Sequence, residues 1–199
     1  SGRFPFSSGS PGAAWNLCGA MLPIGPEGRP VPAFTLVPKA DYKIDWESWR
    51  PVGLGGTGSF DVIVENAFVP DHRVLRFSDA VGSTAPGAES NKNPLYRISL
   101  LTGVAFALAM PAVGAASGSL ERFIDENKVR QTHGAVVLGG KRIADFQTIQ
   151  KRVGEAAARI DAGRLVARHA VDAAELQVRH DGKSSMPIRL LSRRTQSFI

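Results

Sequence analysis

The sequence predicts an α+β chain: a compact β-sandwich or barrel first, a helical bundle second. Three observations carry that expectation. Short apolar runs broken by Pro and Gly fill the first part, as in small sheet domains. An Ala- and Leu-rich stretch with an apolar repeat near 3.6 fills the second. A polar segment of Ser, Gly, Pro and Asn separates them. The expected division is a β domain over residues 1–80, a linker over 81–93 and a helical domain over 94–199.

The first strands follow from the turn residues around them. The chain opens inside a strand-like stretch. Trp15–Leu22 ends at Pro23, Gly25, Pro26 and Gly28, and the run 33–37 ends at Pro38. Strands are expected again over 42–49 and 59–64, where Val62 and Val64 are β-branched.

From Pro94 the character changes. Residues 95–127 predict a long helix, with Pro94 in the first turn, where its missing N–H costs nothing. Pro111 should kink or split it. Residues 131–141 read as a Gly-rich connection. Over 143–178, Ile143, Phe146, Ile149, Val153, Ile160, Val166 and Ala170 recur on one face of a helix. At 1.5 Å per residue that helix is roughly 50 Å long, too long for one small core, so it should pack against others, including another subunit. Residues 186–199 start a third helix. A four-helix bundle would be one helix short, so the helical domain reads as incomplete.

Composition narrows the function classes. Hydrophobic residues at 43% and charged residues at 21% suit a folded domain with a buried core. The net charge is +6, but no aromatic residues interleave with the C-terminal arginines, which argues against a nucleic-acid groove. One or two of these charges suffice for a phosphate-bearing small ligand. Cys18 is the single cysteine, so no intrachain disulfide is possible. No pair among His72, His133, His169 and His180 has metal-ligand spacing on one helix face, so no metal is expected. No run of about 18 apolar residues and no secretory leader stand out. A cytoplasmic protein without a membrane span is therefore the expectation.

One motif is refused. Gly53-Leu54-Gly55-Gly56-Thr57-Gly58 matches the dinucleotide fingerprint by letter. That fingerprint needs a strand before it and a helix after it. Here Ser59-Phe60-Asp61-Val62-Ile63-Val64 follows, which alternates like a strand. The glycines instead permit a tight turn or a close backbone approach to a flat ligand.

Three stretches, in this order, resemble the acyl-CoA dehydrogenase superfamily. The first is Gly2-Arg3-Phe4-Pro5-Phe6-Ser7-Ser8-Gly9 with Ala14-Trp15; the second runs from Trp49 through Gly55-Gly56-Thr57-Gly58-Ser59 to Val69-Pro70. The third joins Arg130, His133-Gly134 and Asp145-Phe146-Gln147, with His133 where the family has Phe. The resemblance implies a middle β domain, a C-terminal four-helix bundle, a flavin between them and a homo-oligomer, commonly a tetramer. Phe6-Ser7-Ser8-Gly9 and Gly55-Gly56-Thr57-Gly58-Ser59 look most like oxygenase components of two-component flavin monooxygenases. Hydroxylases of 4-hydroxyphenylacetate and the dibenzothiophene monooxygenases are of this type. Such an enzyme takes reduced flavin (FADH2 or FMNH2) from a separate reductase, and O2 as co-substrate, to hydroxylate a small aromatic or apolar substrate. The alternatives are an acyl-CoA dehydrogenase, for which no Glu stands between Ser90 and Leu120 as α-proton base, and a non-catalytic subunit.

The resemblance implies roles for particular residues, each beside a plainer reading. Ser7, Ser8 and Gly9 would meet the flavin N5 and O4 edge, with Ser8 protecting the oxygen-activated cofactor from water; they also read as an exposed strand end. Trp15 would wall the flavin or simply fill the core. Thr57 and Ser59 would line the flavin or substrate cavity, or belong only to a turn. Arg130 would hold a flavin phosphate and Gln147 support it; Arg130 equally complements a helix dipole. His133 would be a base near a phenol, or a surface histidine.

Overall fold

The computed structural model describes residues 1–132 and 140–199. The chain divides into two compact units between Pro86 and Gly87. His133 lies outside the described residues.

The first unit holds strands β1 (Gly2–Phe4), β2 (Trp15–Leu22), β3 (Val31–Pro38), β4 (Tyr42–Asp45), β5 (Asp61–Val64) and β6 (Val74–Arg76). They form two three-stranded sheets, ordered β1-β5-β4 and β2-β3-β6, with every pairing antiparallel. β2 and β3 pair along their full length, from Trp15 opposite Pro38 to Leu22 opposite Val31. Period-two alternation turns Asn16 and Cys18 inward and leaves Trp15 and Leu17 exposed. Cys18 and Val37 from one sheet meet Tyr42, Val62 and Val64 from the other in a single core cluster. Burial pushes the Cys18 thiol pKa up, which keeps it a packing residue.

Two strands are shorter than the sequence suggests, and hydrogen bonds explain why. β4 stops at Asp45 because its side chain accepts the Glu47 N–H at 3.1 Å. The Asp45 carbonyl meanwhile accepts the Ser48 N–H at 3.2 Å. Such local Asp and Ser turns divert the backbone from the ladder. β5 begins at Asp61, whose N–H is bonded by Ser48 Oγ at 2.8 Å. β6, only three residues long, lacks the length for a readable alternation.

Two short helices occur around the segment read as a linker: α1 (Phe77–Gly82) ends just inside its start, and α2 (Gly87–Ser90) lies within it. In the second unit, α3 (Leu100–Val129), α4 (Gln147–Asp181) and α5 (Met186–Phe198) pack against one another. Their core contains Ala105, Phe106, Ala167 and Ala170. Small residues set the spacing: a Cβ added at Gly163 would already stand 3.9 Å from Val113. α3 starts at Leu100 because residues 94–97 form a tight turn, capped by Asn93 accepting the Leu95 N–H at 2.9 Å. α4 starts at Gln147 because Phe146 is extended (φ −83, ψ 123). Gly182, at φ 74, ends it.

Of the two outcomes expected at Pro111, a kink or a split, the split does not occur, because α3 runs continuously through it; Pro111 is exposed, so solvent can satisfy the carbonyl its ring leaves without a partner. α3 also contains an 18-residue window of mean hydropathy 1.7, long and apolar enough to cross a membrane by length and composition. Thr and Gly interrupt its large apolar residues, which hid the run, but they add no charge. Within this unit α3 packs against α4 and α5, with Thr102, Ala105, Phe106, Val113 and Asn127 buried.

Candidate functional site

The first unit brings together the two segments expected at a flavin ring. Arg3 fastens β1 to its neighbours, bonding Asp61 at 2.6 Å and Asp45 at 2.7 Å. The chain then turns sharply at Phe6, a non-glycine residue at φ 55. Such a backbone costs an L residue about 1–2 kcal/mol and persists only where the surroundings impose it. Here the Ser8 N–H donates to the Phe6 carbonyl at 2.8 Å, and the Ser7 N–H to the Phe60 carbonyl at 2.9 Å. The Phe6 ring meets Trp49 edge-on, centroids 6.2 Å apart. Gly9 completes the turn at φ 76.

Both serine N–H groups are therefore engaged within the turn, and the hydroxyls remain. Ser7 Oγ donates to the Phe4 carbonyl at 3.1 Å. Ser8 Oγ stands 2.9 Å from Ser59 Oγ, 51 residues on. Ser8 Oγ can donate to Ser59 or to the Phe6 carbonyl, 3.4 Å away, while Ser59 can donate to Ser8. Ser59 holds its place through the turn before it, where Gly53, Leu54 and Gly58 all adopt positive φ. Thr57 caps that turn, its hydroxyl donating to the Leu54 carbonyl at 2.8 Å.

A cavity of about 440 Å³ is lined by Ser7, Ser8 and Trp15, among others. Trp15 is 43% exposed, with the Arg73 guanidinium over its ring at 4.7 Å, so it is a surface wall and not a core residue. Neither Thr57 nor Ser59 is among the cavity's lining residues. Two lining residues escaped the sequence reading: Ser10 and Asn16 are buried, yet Ser10 Oγ and Asn16 Nδ2 lack hydrogen-bond partners. Asn16 holds an inward position in β2's alternation, and Ser10 lies in the turn before that strand.

The second unit carries Arg130 and Gln147. Arg130 caps α3, and its carbonyl accepts the Ile143 N–H at 2.9 Å. With the Gln131–Arg142 bridge, this ties the end of α3 to the start of α4. The guanidinium is exposed and has no bonded partner among the described residues, so it is free for an anion. Gln147 is the exposed first residue of α4.

Two three-stranded antiparallel sheets are followed by long packed helices, the order that the resemblance to the acyl-CoA dehydrogenase superfamily implies. The acyl-CoA dehydrogenase C-terminal domain family matches residues 106–199, just under half of the chain. The chain is 45% identical over 203 residues to the FADH(2)-dependent resorcinol hydroxylase, oxygenase component, of Rhizobium sp. (strain MTP-10005), covering 100% of the chain and 49% of that protein. It is 35% identical to the flavin-dependent monooxygenase oxygenase subunit HsaA of Rhodococcus jostii (strain RHA1), covering 98% of the chain and 50% of that protein. The crystal structure of 3-HSA hydroxylase from Rhodococcus sp. RHA1 matches with a TM-score of 0.83 at 34% identity, covering 98% of this chain and 48% of that one. The chain spans about half the length of the curated relatives it matches.

Proposed function

We propose that the protein is the oxygenase component of a two-component flavin monooxygenase that hydroxylates an aromatic or similarly apolar small molecule. A separate reductase supplies reduced flavin, O2 is the co-substrate, and the protein works as a cytoplasmic homo-oligomer. The observation that carries the reading is the Ser8–Ser59 hydroxyl pair, 2.9 Å apart, which ties a second segment to a serine that lines the cavity. The relatives that match along the whole chain bear the names of FADH(2)-dependent or flavin-dependent oxygenase components, which supports the same reading.

The residues fit a flat redox ring. A concave wall of Trp15, Ser7 and Ser8 offers hydroxyls and no charged side chain at the ring edge. When bound, the flavin supplies two electrons and activates O2 for transfer to the substrate. Ser8 and Ser59 hold a proton at that edge and exclude the water that would divert the oxygen to peroxide. Arg130 offers a planar, paired donor to a phosphate, with Gln147 beside α4's N-terminal end.

Anaerobic flavin titration tests the proposal. Reduced flavin should bind tightly and oxidised flavin weakly, Arg130→Ala should weaken binding, and Ser8→Ala should raise the fraction of reductant lost as peroxide. Tight binding of oxidised FAD, with reduction by an acyl thioester, would make the protein a dehydrogenase instead. A folded protein that binds no flavin would leave it a non-catalytic subunit.

A further inference from the structure

We propose that Ser48 is a positioning residue for the Ser8–Ser59 pair, acting through the single peptide that joins Phe60 to Asp61. The proposal rests on the monooxygenase reading, in which that pair stands at the flavin edge. Ser48 is half-buried and does not line the cavity. Its hydroxyl donates to the Asp45 carbonyl at 2.5 Å and accepts the Asp61 N–H at 2.8 Å. Asp45 and Asp61 stand opposite each other at the end of the β4–β5 pairing, so the hydroxyl bridges the two strands where their ladder stops. The Ser48 N–H also donates to the Asp45 carbonyl, at 3.2 Å, which closes the turn beneath the bridge. Arg3 bonds both aspartate side chains and so anchors each end of it.

The Phe60–Asp61 peptide carries this anchorage to the site. A peptide unit is planar, so its N–H and C=O turn together. Ser48 holds the N–H end, and the C=O end accepts the Ser7 N–H at 2.9 Å. That second bond cross-links the segment of Ser7 and Ser8 to the segment of Ser59. Ser59 is the residue before this peptide, and Ser8 the residue after Ser7. A rotation of the plane therefore draws the Phe60 carbonyl away from Ser7 and changes the 2.9 Å separation of the two hydroxyls. Within the intervening loop, Trp49 Nε1 and the Thr57 hydroxyl both donate to the Leu54 carbonyl, which holds the loop to itself. The Ser48 hydroxyl ties the two ends of that loop together. Ser48→Ala deletes this tie and leaves the Asp61 N–H without its acceptor, whereas Ser48→Thr keeps a hydroxyl on the same carbon.

The test uses the full-length protein and two readouts. Amide hydrogen exchange without ligand reports the geometry. Stopped-flow mixing of the protein and reduced FAD with oxygenated buffer reports the flavin edge, through the rate at which oxidised FAD returns. In Ser48→Ala, exchange over residues 6–10 should quicken about tenfold, the equivalent of one net hydrogen bond, while β3 exchanges as in the parent. Ser48→Thr should behave as the parent in both readouts. Oxidised FAD should return about tenfold faster in Ser48→Ala, and Ser48→Ala should add nothing further in a Ser8→Ala background, because it acts through a hydroxyl that is no longer there. Four results would each overturn the proposal: unchanged exchange over residues 6–10, equal quickening in β3, no rescue by Ser48→Thr, or a further rise in the double variant. A parent that does not slow the return of oxidised FAD, or that is unaffected by Ser8→Ala, would sink the monooxygenase reading instead, and the exchange data alone would then decide whether Ser48 holds the pair.

Discussion

Gly58 joins the turn chemistry to the candidate site, and replacing it separates two kinds of strain. Its φ is +61, and an added Cβ would stand 3.2 Å from the Phe60 ring and 3.7 Å from Pro11. A left-handed backbone costs an L residue roughly 1–2 kcal/mol. The smaller freedom of Ala in the unfolded chain returns about 0.4–1 kcal/mol. Gly9, at φ +76 with nothing within 4 Å of an added Cβ, isolates that backbone cost: Gly9→Ala should destabilise by about 0.5–1 kcal/mol. Gly58→Ala adds the ring contact, and the ring cannot swing away freely because Trp46 meets it edge-on with centroids 5.0 Å apart. About 1.5–2.5 kcal/mol is expected, or on the order of 10 °C in Tm for a unit of this size. Gly55, without positive φ or close neighbours, should tolerate Ala with a change under about 0.5 kcal/mol. Thermal melts of the three variants give the order directly. Flavin titration adds a second reading, since a displaced Phe60 carries Ser59 away from Ser8 and should weaken binding more than Gly9→Ala does. Equal melting of Gly58→Ala and Gly55→Ala would refute the argument.

Two further outcomes follow from the same geometry. Pro111→Ala should stabilise the second unit by about 1–3 kcal/mol, since it restores an interior helix N–H at an exposed position; a lower Tm would mean that α3 uses the proline for shape. The Arg3 side chain, followed by the Glu47 N–H, holds the Asp45 carboxyl below its usual pKa. A depressed carboxylate contributes stability that is present above its unfolded pKa and is lost as pH falls through the folded one. Acid titration of the melting temperature should therefore steepen below about pH 4 in the parent and flatten there in Asp45→Asn; identical curves would show the Arg3 clamp to be energetically idle.

The broad architecture was legible because its signals are periodic. Trp15–Leu22 and the long run ending near Val178 each repeat over enough residues for the repeat to outweigh local exceptions. What escaped depends on single hydrogen bonds or short lengths. β4 ends where Asp45 and Ser48 fold the chain back on itself, and β6 is three residues long. Membrane-length apolarity in α3 was hidden because Gly and Thr break a run without lowering its mean much.

For the site, motif and register carried different information. Ser7, Ser8 and Ser59 were found as letters in two motifs, but the 2.9 Å contact between Ser8 and Ser59 depends on Ser7 pairing with the Phe60 carbonyl across 53 residues. Thr57 was found by the same route and proves to bond its own turn. Asn16 belongs to no motif, and its meaning lies wholly in alternation. Trp15 and Leu17 face outward, so a residue between them must face the core. A polar residue at an inward register position carries a desolvation cost that some partner must offset. Finding such residues needs only a strand's phase, which Trp15–Leu22 displays without coordinates.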